Sequence, residues 1–195
     1  MIPAVLDPGV LTKYTRRWRS DAYLRTTPWE HRATPLGMGF GKTRFASPAD
    51  SFRLLYIAGT LPASIAEAIV RDRFEGMSPP REMTRGEFDG WGICEIGAGG
   101  DLRLLDLTGN ACFDLGVSTD IIGAKAQDEA RTFSQRLYDT TDLDGILYAS
   151  RLQPGTDCVA VYDRAVPLLI ATPVVELETL VNLEPALRSL NIALL

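Results

Sequence analysis

The run Arg53–Phe74, RLLYIAGTLPASIAEAIVRDRF, constrains this chain more than any other stretch. Arg53 to Ala58 is a short apolar piece ending at Gly59, which reads as a buried strand. Pro62 then falls where the first helical residue should be, a place where its missing N–H costs nothing. Ile65, Ala66, Ile69, Val70 and Phe74 recur at helical spacing and form one apolar stripe, with Glu67 at its edge. The pattern predicts strand, tight turn and helix. Tyr56 would sit near the strand end and the Glu67 carboxylate in the first turns of the helix. Taken alone, Glu67 reads first as a solvated pair with Arg71, four residues on in the favourable order.

The flanking sequence supplies elements to cover this unit. Asp21–Thr26 reads as a first strand, with Tyr23 and Arg25 on one side and Ala22 and Leu24 on the other. Residues 27–48 form a long irregular segment in which Gly37, Gly39 and Gly41 alternate before Lys42 and Arg44. Alternating glycines let backbone N–H groups approach an anion; the structural alternative is a loop that needs positive φ. The spacing misses the phosphate-binding pattern GxxxxGK[ST] by one residue, and no strand precedes it, which excludes a nucleoside-triphosphatase loop. Glu75–Asp89 reads as an exposed polar connector. Trp91–Ile96 and Leu102–Leu107 read as strands joined in a hairpin through Gly99-Gly100. Asn110–Gly123 is loop-like, and Ala126, Ala130, Phe133 and Leu137 mark a helix. Asp144–Ser150 and Asp157–Tyr162 read as strands around a turn at Gln153–Gly155. Leu168–Leu180 is extended and broken by Pro173, and Pro185–Leu194 is a short helix. This order is not a regular βαβ alternation, so the expected fold class is α+β with a mixed or antiparallel core.

Composition narrows the function. A net charge of -5 argues against direct nucleic-acid binding. The basic cluster Lys13–Arg19 therefore reads first as a solvated face. No apolar run reaches membrane-spanning length. Cys94, Cys112 and Cys158 are odd in number and far apart, which fits buried thiols in a reducing compartment; we expect a cytoplasmic protein. With His31 as the single histidine, a surface residue by its context, a histidine-rich metal site is not expected.

Four pieces carry a family resemblance: Arg25 in an early strand, GKTRF at Gly41–Phe45, LYIAGTLPASIAE with Tyr56 and Glu67, and DGILYASR with Ser150. Together they resemble the RES domain, named for its Arg, Glu and Ser and found in toxins of bacterial RES–Xre toxin–antitoxin pairs. The likeness runs from about Tyr23 to about Tyr162. It implies a single RES-like domain over residues 1–195, with an N-terminal arm at 1–20 and a C-terminal appendage at 165–195. The implied fold is similar to ADP-ribosyltransferases of the diphtheria-toxin type. NAD is the implied substrate, with no metal. By position, Glu67, Arg25 and Tyr56 match the family's catalytic residues. Arg25, Thr26, Arg44, Tyr56 and Ser150 match its NAD-binding positions. Thr26 stands where several relatives have Tyr, and Lys42-Thr43-Arg44-Phe45 where they read GGRW.

The resemblance also implies the chemistry. Nicotinamide leaves NAD as a neutral group, so its departure needs no acid, and a carboxylate such as Glu67 stabilises the oxocarbenium-like transition state. Arg25 and Arg44 offer planar donors to the pyrophosphate. Tyr56 would stack on nicotinamide or ribose. Thr26 or Ser150 would hydrogen-bond the amide or hold the glutamate, with a strand-end turn cap as the alternative role of Ser150. The ADP-ribose acceptor stays open between water, phosphate and a protein side chain, as does a purely partner-binding groove. An Xre-type antitoxin is the implied partner, with an acidic tail entering a groove made basic by Arg25, Lys42 and Arg44.

Overall fold

The computed structural model describes residues 2–19 and 22–195, so Asp21, the expected start of the first strand, lies outside the described residues. In chain order the elements are α1 (Pro8–Tyr14), β1 (Thr15–Trp18), β2 (Tyr23–Pro28), β3 (Leu54–Ala58), α2 (Leu61–Ile65), β4 (Arg81–Met83), β5 (Trp91–Ala98), β6 (Leu102–Asp106), α3 (Ala111–Asp114), α4 (Asp120–Gly123), α5 (Asp128–Thr140), β7 (Gly145–Ala149), β8 (Asp157–Tyr162), β9 (Leu169–Ala171), β10 (Val175–Glu176), α6 (Leu183–Ser189) and β11 (Ile192–Leu194). The class is α+β. Nine strands form one curled sheet in the order β1-β6-β7-β8-β3-β2-β5-β10, with β9 also on β5. Among the described residues, only its β6–β7 pairing is parallel.

The sheet is nearly split. β3 pairs with β8 along its whole length, but meets β2 only at Leu24↔Ala58. The two halves fold over a shared core in which Leu55, Ile57, Val159 and Val161 face Cys94 and Ile96. The outer face of the first half is covered by α5 through Ala130, Phe133 and Leu137. The outer face of the second is covered by α2 and α6 through Ile65, Leu183 and Leu187. β3, β7 and β8 are thus buried on both faces, which is why they read as unbroken apolar runs instead of alternating ones. Gly145 is demanded by this packing: a Cβ there would stand 2.3 Å from the Ala160 carbonyl oxygen.

Several expectations are corrected. β5 and β6 are not a hairpin. β5 takes β2, β9 and β10 as partners, and β6 takes β1 and β7. The Gly99-Gly100 connection carries the chain between the two halves of the curled sheet, and turn chemistry specifies a reversal without specifying who pairs. β2 is preceded by another strand, β1, in which Arg16 and Arg17 face outward while Trp18 is buried. Residues 1–20 therefore contribute α1 and β1, and residues 165–195 contribute β9 and β10 to the main sheet. The expected connector at 75–89 holds β4, and its Met83 and Phe88 are fully buried. Residues 110–123 carry α3 and α4 where a loop was expected, and the terminal helix ends at Ser189, followed by β11. Gly37, Gly39 and Gly41 do not adopt positive φ, so the need for positive φ does not account for their spacing. The three cysteines are free and buried. Among the described residues no helix is long and apolar enough to cross a membrane.

Candidate active site

Where β3 and β2 diverge, the sheet opens into a cleft of about 350 Å³. Its size falls within the range of small-ligand sites. β3 supplies Tyr56, β7 supplies Tyr148, β2 supplies Arg25 and Thr26, and the segment that follows Ala58 supplies Ser64 and Glu67. The Thr60 side chain caps the start of α2, and Pro62 sits in its first turn. After Ile65 the helix widens into a π-turn over Ala66–Val70, closed by the Arg71 N–H donating to the Ala66 carbonyl at 2.8 Å. The helix therefore ends at Val70, and Arg71 leaves it with φ 48°. The expected run to Phe74 is cut short, and Arg71 is carried out of register for a pair with Glu67. π-turns of this kind frequently mark functional sites.

Glu67 is half-buried, and its Oε1 accepts a hydrogen bond from Ser150 Oγ at 2.7 Å. The same Oγ accepts from the N–H groups of Leu152 and Gln153 at 3.2 and 3.1 Å. Ser150 thus fills both roles weighed for it at once. It caps the end of β7 and, held by that cap, aims its proton at the glutamate. Tyr56 is wedged beneath: its hydroxyl accepts from Thr43 Oγ1 at 3.0 Å and from the Phe45 N–H at 3.1 Å. With both acceptor positions used, the phenolic proton is left to donate. Burial pushes the Tyr56 hydroxyl up to about 12, so it stays protonated at neutral pH. Thr26 lines the opposite side, bonded to Ser64 through its N–H at 3.0 Å and its Oγ1 at 2.8 Å.

The two arginines behave differently. Arg44 lies in the cleft and anchors one guanidinium nitrogen on the Ala124 carbonyl at 2.8 Å. Burial draws it below the ordinary arginine range and Arg151 adds to this, while Tyr148 and Glu67 act the other way. Arg25 also lines the cleft, but its two terminal nitrogens donate to the carbonyls of Pro35 (2.5 Å) and Gly37 (2.8 Å). From the cleft wall its guanidinium pins the glycine-bearing loop. Lys42 is exposed and off the cleft wall, and His31 is a surface residue beside Glu30.

The lining residues that went unread in the sequence include Ser64, Tyr148, Asp72 and Arg151. Ser64 lies three residues before Glu67, so both share one helical face. Arg151 directly follows Ser150, and it pairs with Asp72 at 2.5 Å across the rim. Cys158 also touches the cleft, but burial pushes its thiol up to about 12 and leaves it unreactive. Among the described residues no group of three or more His, Cys, Asp or Glu side chains gathers as a metal site. The arrangement offers a hydrogen-bonded carboxylate, a donor phenol and four guanidinium groups, those of Arg25, Arg44, Arg71 and Arg151, in one partly desolvated cleft. Such a set stabilises positive charge developing on a bound anionic molecule.

The sequence profile of the RES domain matches residues 15–183. This chain belongs to the RES domain family. The RES domain here includes β1, the Arg25–Thr26 strand, the Tyr56–Glu67 unit and Ser150. Among solved structures, its fold is similar to one in the M. tuberculosis MbcT–MbcA toxin–antitoxin complex. The identity is 17% and the TM-score 0.60, covering 88% of this chain and 93% of that one. Likeness at that identity is one of fold. No curated protein matches the sequence.

Proposed function

We propose that this RES-domain protein is the toxin of a toxin–antitoxin pair. It cleaves the nicotinamide–ribose bond of NAD by hydrolysis or phosphorolysis. The observation that carries this reading is the Glu67–Ser150 bond in the cleft beside Tyr56 and Arg44. The C–N bond breaks with its electron pair going to the pyridine nitrogen, so nicotinamide departs neutral. Glu67 holds the ribose hydroxyls and stabilises positive charge at the anomeric carbon. Ser150 keeps the carboxylate oriented. Tyr56, protonated, donates to the ribose or the carboxamide. A water or phosphate oxygen then closes on the carbon and sheds its proton to solvent.

Membership of the RES family and the likeness in fold to a protein solved in a toxin–antitoxin complex support a partner antitoxin. An NAD-destroying protein harms its own cell unless restrained. The direct test incubates purified protein with NAD labelled in the adenosine moiety, with and without phosphate and with a cell lysate. Label in ADP-ribose or ADP-ribose 1″-phosphate is the expected result. Label retained in NAD contradicts the reading, and label on a lysate protein moves the activity to ADP-ribosyl transfer.

A further inference from the structure

Beside the active-site cleft lies a second cavity of about 240 Å³, between the turn after Glu67 and the C-terminal α6–β11 segment. The two spaces share Arg71, Asp72, Arg151 and Leu152. They therefore adjoin at a rim that carries two guanidinium groups. The remainder of the second cavity is largely apolar, through Val70, Phe74, Leu190 and Ile192, with Arg81 and Glu75 among them.

Two features at this place are unexplained by packing. Arg71 adopts φ 48° and ψ −126°, a conformation that a residue with a side chain holds only under strain. A glycine would sit there at no cost. The Arg71 side chain is exposed and, among the described residues, forms no ion pair, whereas Arg151 is held by Asp72 and Lys125 by Glu75. The second feature is Arg81. One of its terminal nitrogens donates to the Met77 carbonyl at 3.2 Å, but its Nε is buried with no partner. A buried donor without an acceptor is rare, and a ligand is one remedy.

Building on the NAD reading of the cleft, we propose that Arg71 binds the diphosphate of the dinucleotide and that the second cavity receives its adenosine half. With the nicotinamide ribose beside Glu67, the diphosphate points outward to the shared rim, where Arg71 stands four residues further along the chain. A guanidinium fork suits a diphosphate. The apolar wall packs the adenine, and the Arg81 Nε–H gains an acceptor from the base or its ribose. Arg71 thus joins the cleft arginines as a phosphate-binding group, and its backbone strain, otherwise unrewarded, gains a use.

The test is titration calorimetry in a Glu67→Gln background, which prevents turnover. The ligands are NAD, ADP-ribose, nicotinamide riboside and inorganic phosphate, and the variants are Arg71→Gly and Arg81→Leu. Arg71→Gly removes the guanidinium and the strain together. The expected result is weaker binding of NAD and ADP-ribose, on the order of tenfold. Nicotinamide riboside affinity and thermal stability are not reduced. Arg81→Leu weakens ADP-ribose and leaves nicotinamide riboside unchanged. Unaltered NAD and ADP-ribose affinity in both variants overturns the subsite and leaves the NAD reading intact. Loss of phosphate binding alone also overturns it, since Arg71 would then serve a separate phosphate. Failure of the parent protein to bind NAD or ADP-ribose overturns the NAD reading and this inference together.

Discussion

The two walls of the cleft are built by opposite means. One is β3, β7 and β8, paired in continuous register and buried on both faces, and it presents Tyr56 and Tyr148 as a fixed surface. The other runs from Ala66 to Glu75. It has a π-turn, a non-glycine residue at positive φ, and two rim ion pairs, Asp72–Arg151 and Glu75–Lys125. Exposed pairs of this kind contribute at most about 1 kcal/mol each. The regular wall is held by close packing that tolerates no added atom. The irregular wall is anchored by Val70 and Phe74 and braced at the cleft by a few polar contacts, and it carries the carboxylate. The proposed catalytic carboxylate sits where the backbone leaves regular geometry, and it is tied to the regular wall through the Ser150–Glu67 bond.

The contrast can be broken most severely from the rigid side. Gly145→Ala places a methyl 2.3 Å from the Ala160 carbonyl oxygen, where both strands are fixed by their neighbours. It should cost about 3 kcal/mol or more, roughly 10 °C in Tm, or prevent folding. A Tm within about 2–3 °C of the parent would mean that the β7–β8 wall yields as readily as the other. Ser150→Ala cuts the bond between the walls. The fold should lose about 1–2 kcal/mol, and NAD turnover should fall about tenfold, in kcat more than in KM. Equal loss in both constants would assign Ser150 to binding rather than positioning.

The smallest effect is a titration. Burial raises Tyr56 to about 12 and pushes Tyr148 and Tyr162 up as well. The neutral phenols are favoured in the folded state. Their contribution is complete below the ordinary tyrosine value of 10.0; that of Tyr56 is lost as pH rises through about 12. Ultraviolet titration at pH 10 should leave these three protonated in the native protein and half-ionised in the denatured chain. Half-ionisation of all six tyrosines at pH 10 in the folded protein would show that the regular wall is solvated.

The same division governs what is legible in the sequence. β3, β7, β8 and α5 are readable because strands buried on both faces, and a helix with one buried stripe, leave unambiguous patterns. Tyr56 and Glu67 come with them, and the cleft brings them together. The irregular wall leaves no such pattern. No residue spacing distinguishes an α-turn from a π-turn, so neither the early helix end at Val70 nor the strain at Arg71 can be foreseen. Partners of side chains are equally hidden. Arg25 is recognisable as an important cation, but its engagement by the Pro35 and Gly37 carbonyls depends on how the loop folds back. The β5–β6 connection misleads for a related reason, since glycines report where the chain turns and the curl of the sheet decides what pairs. Ser64 and Arg151 do carry signals of position, one helical turn before Glu67 and one residue after Ser150.

Everything in this mechanism turns on Glu67 acting on the transition state from a preformed cleft. Glu67→Gln keeps the size of the side chain and an acceptor for Ser150 while removing the charge. NAD binding by calorimetry and nicotinamide release by chromatography should be measured on the same preparation. The expected outcome is a folded variant that binds NAD within a few-fold of the parent and releases nicotinamide at least about a hundredfold more slowly. A folded variant with undiminished nicotinamide release would contradict that role for Glu67.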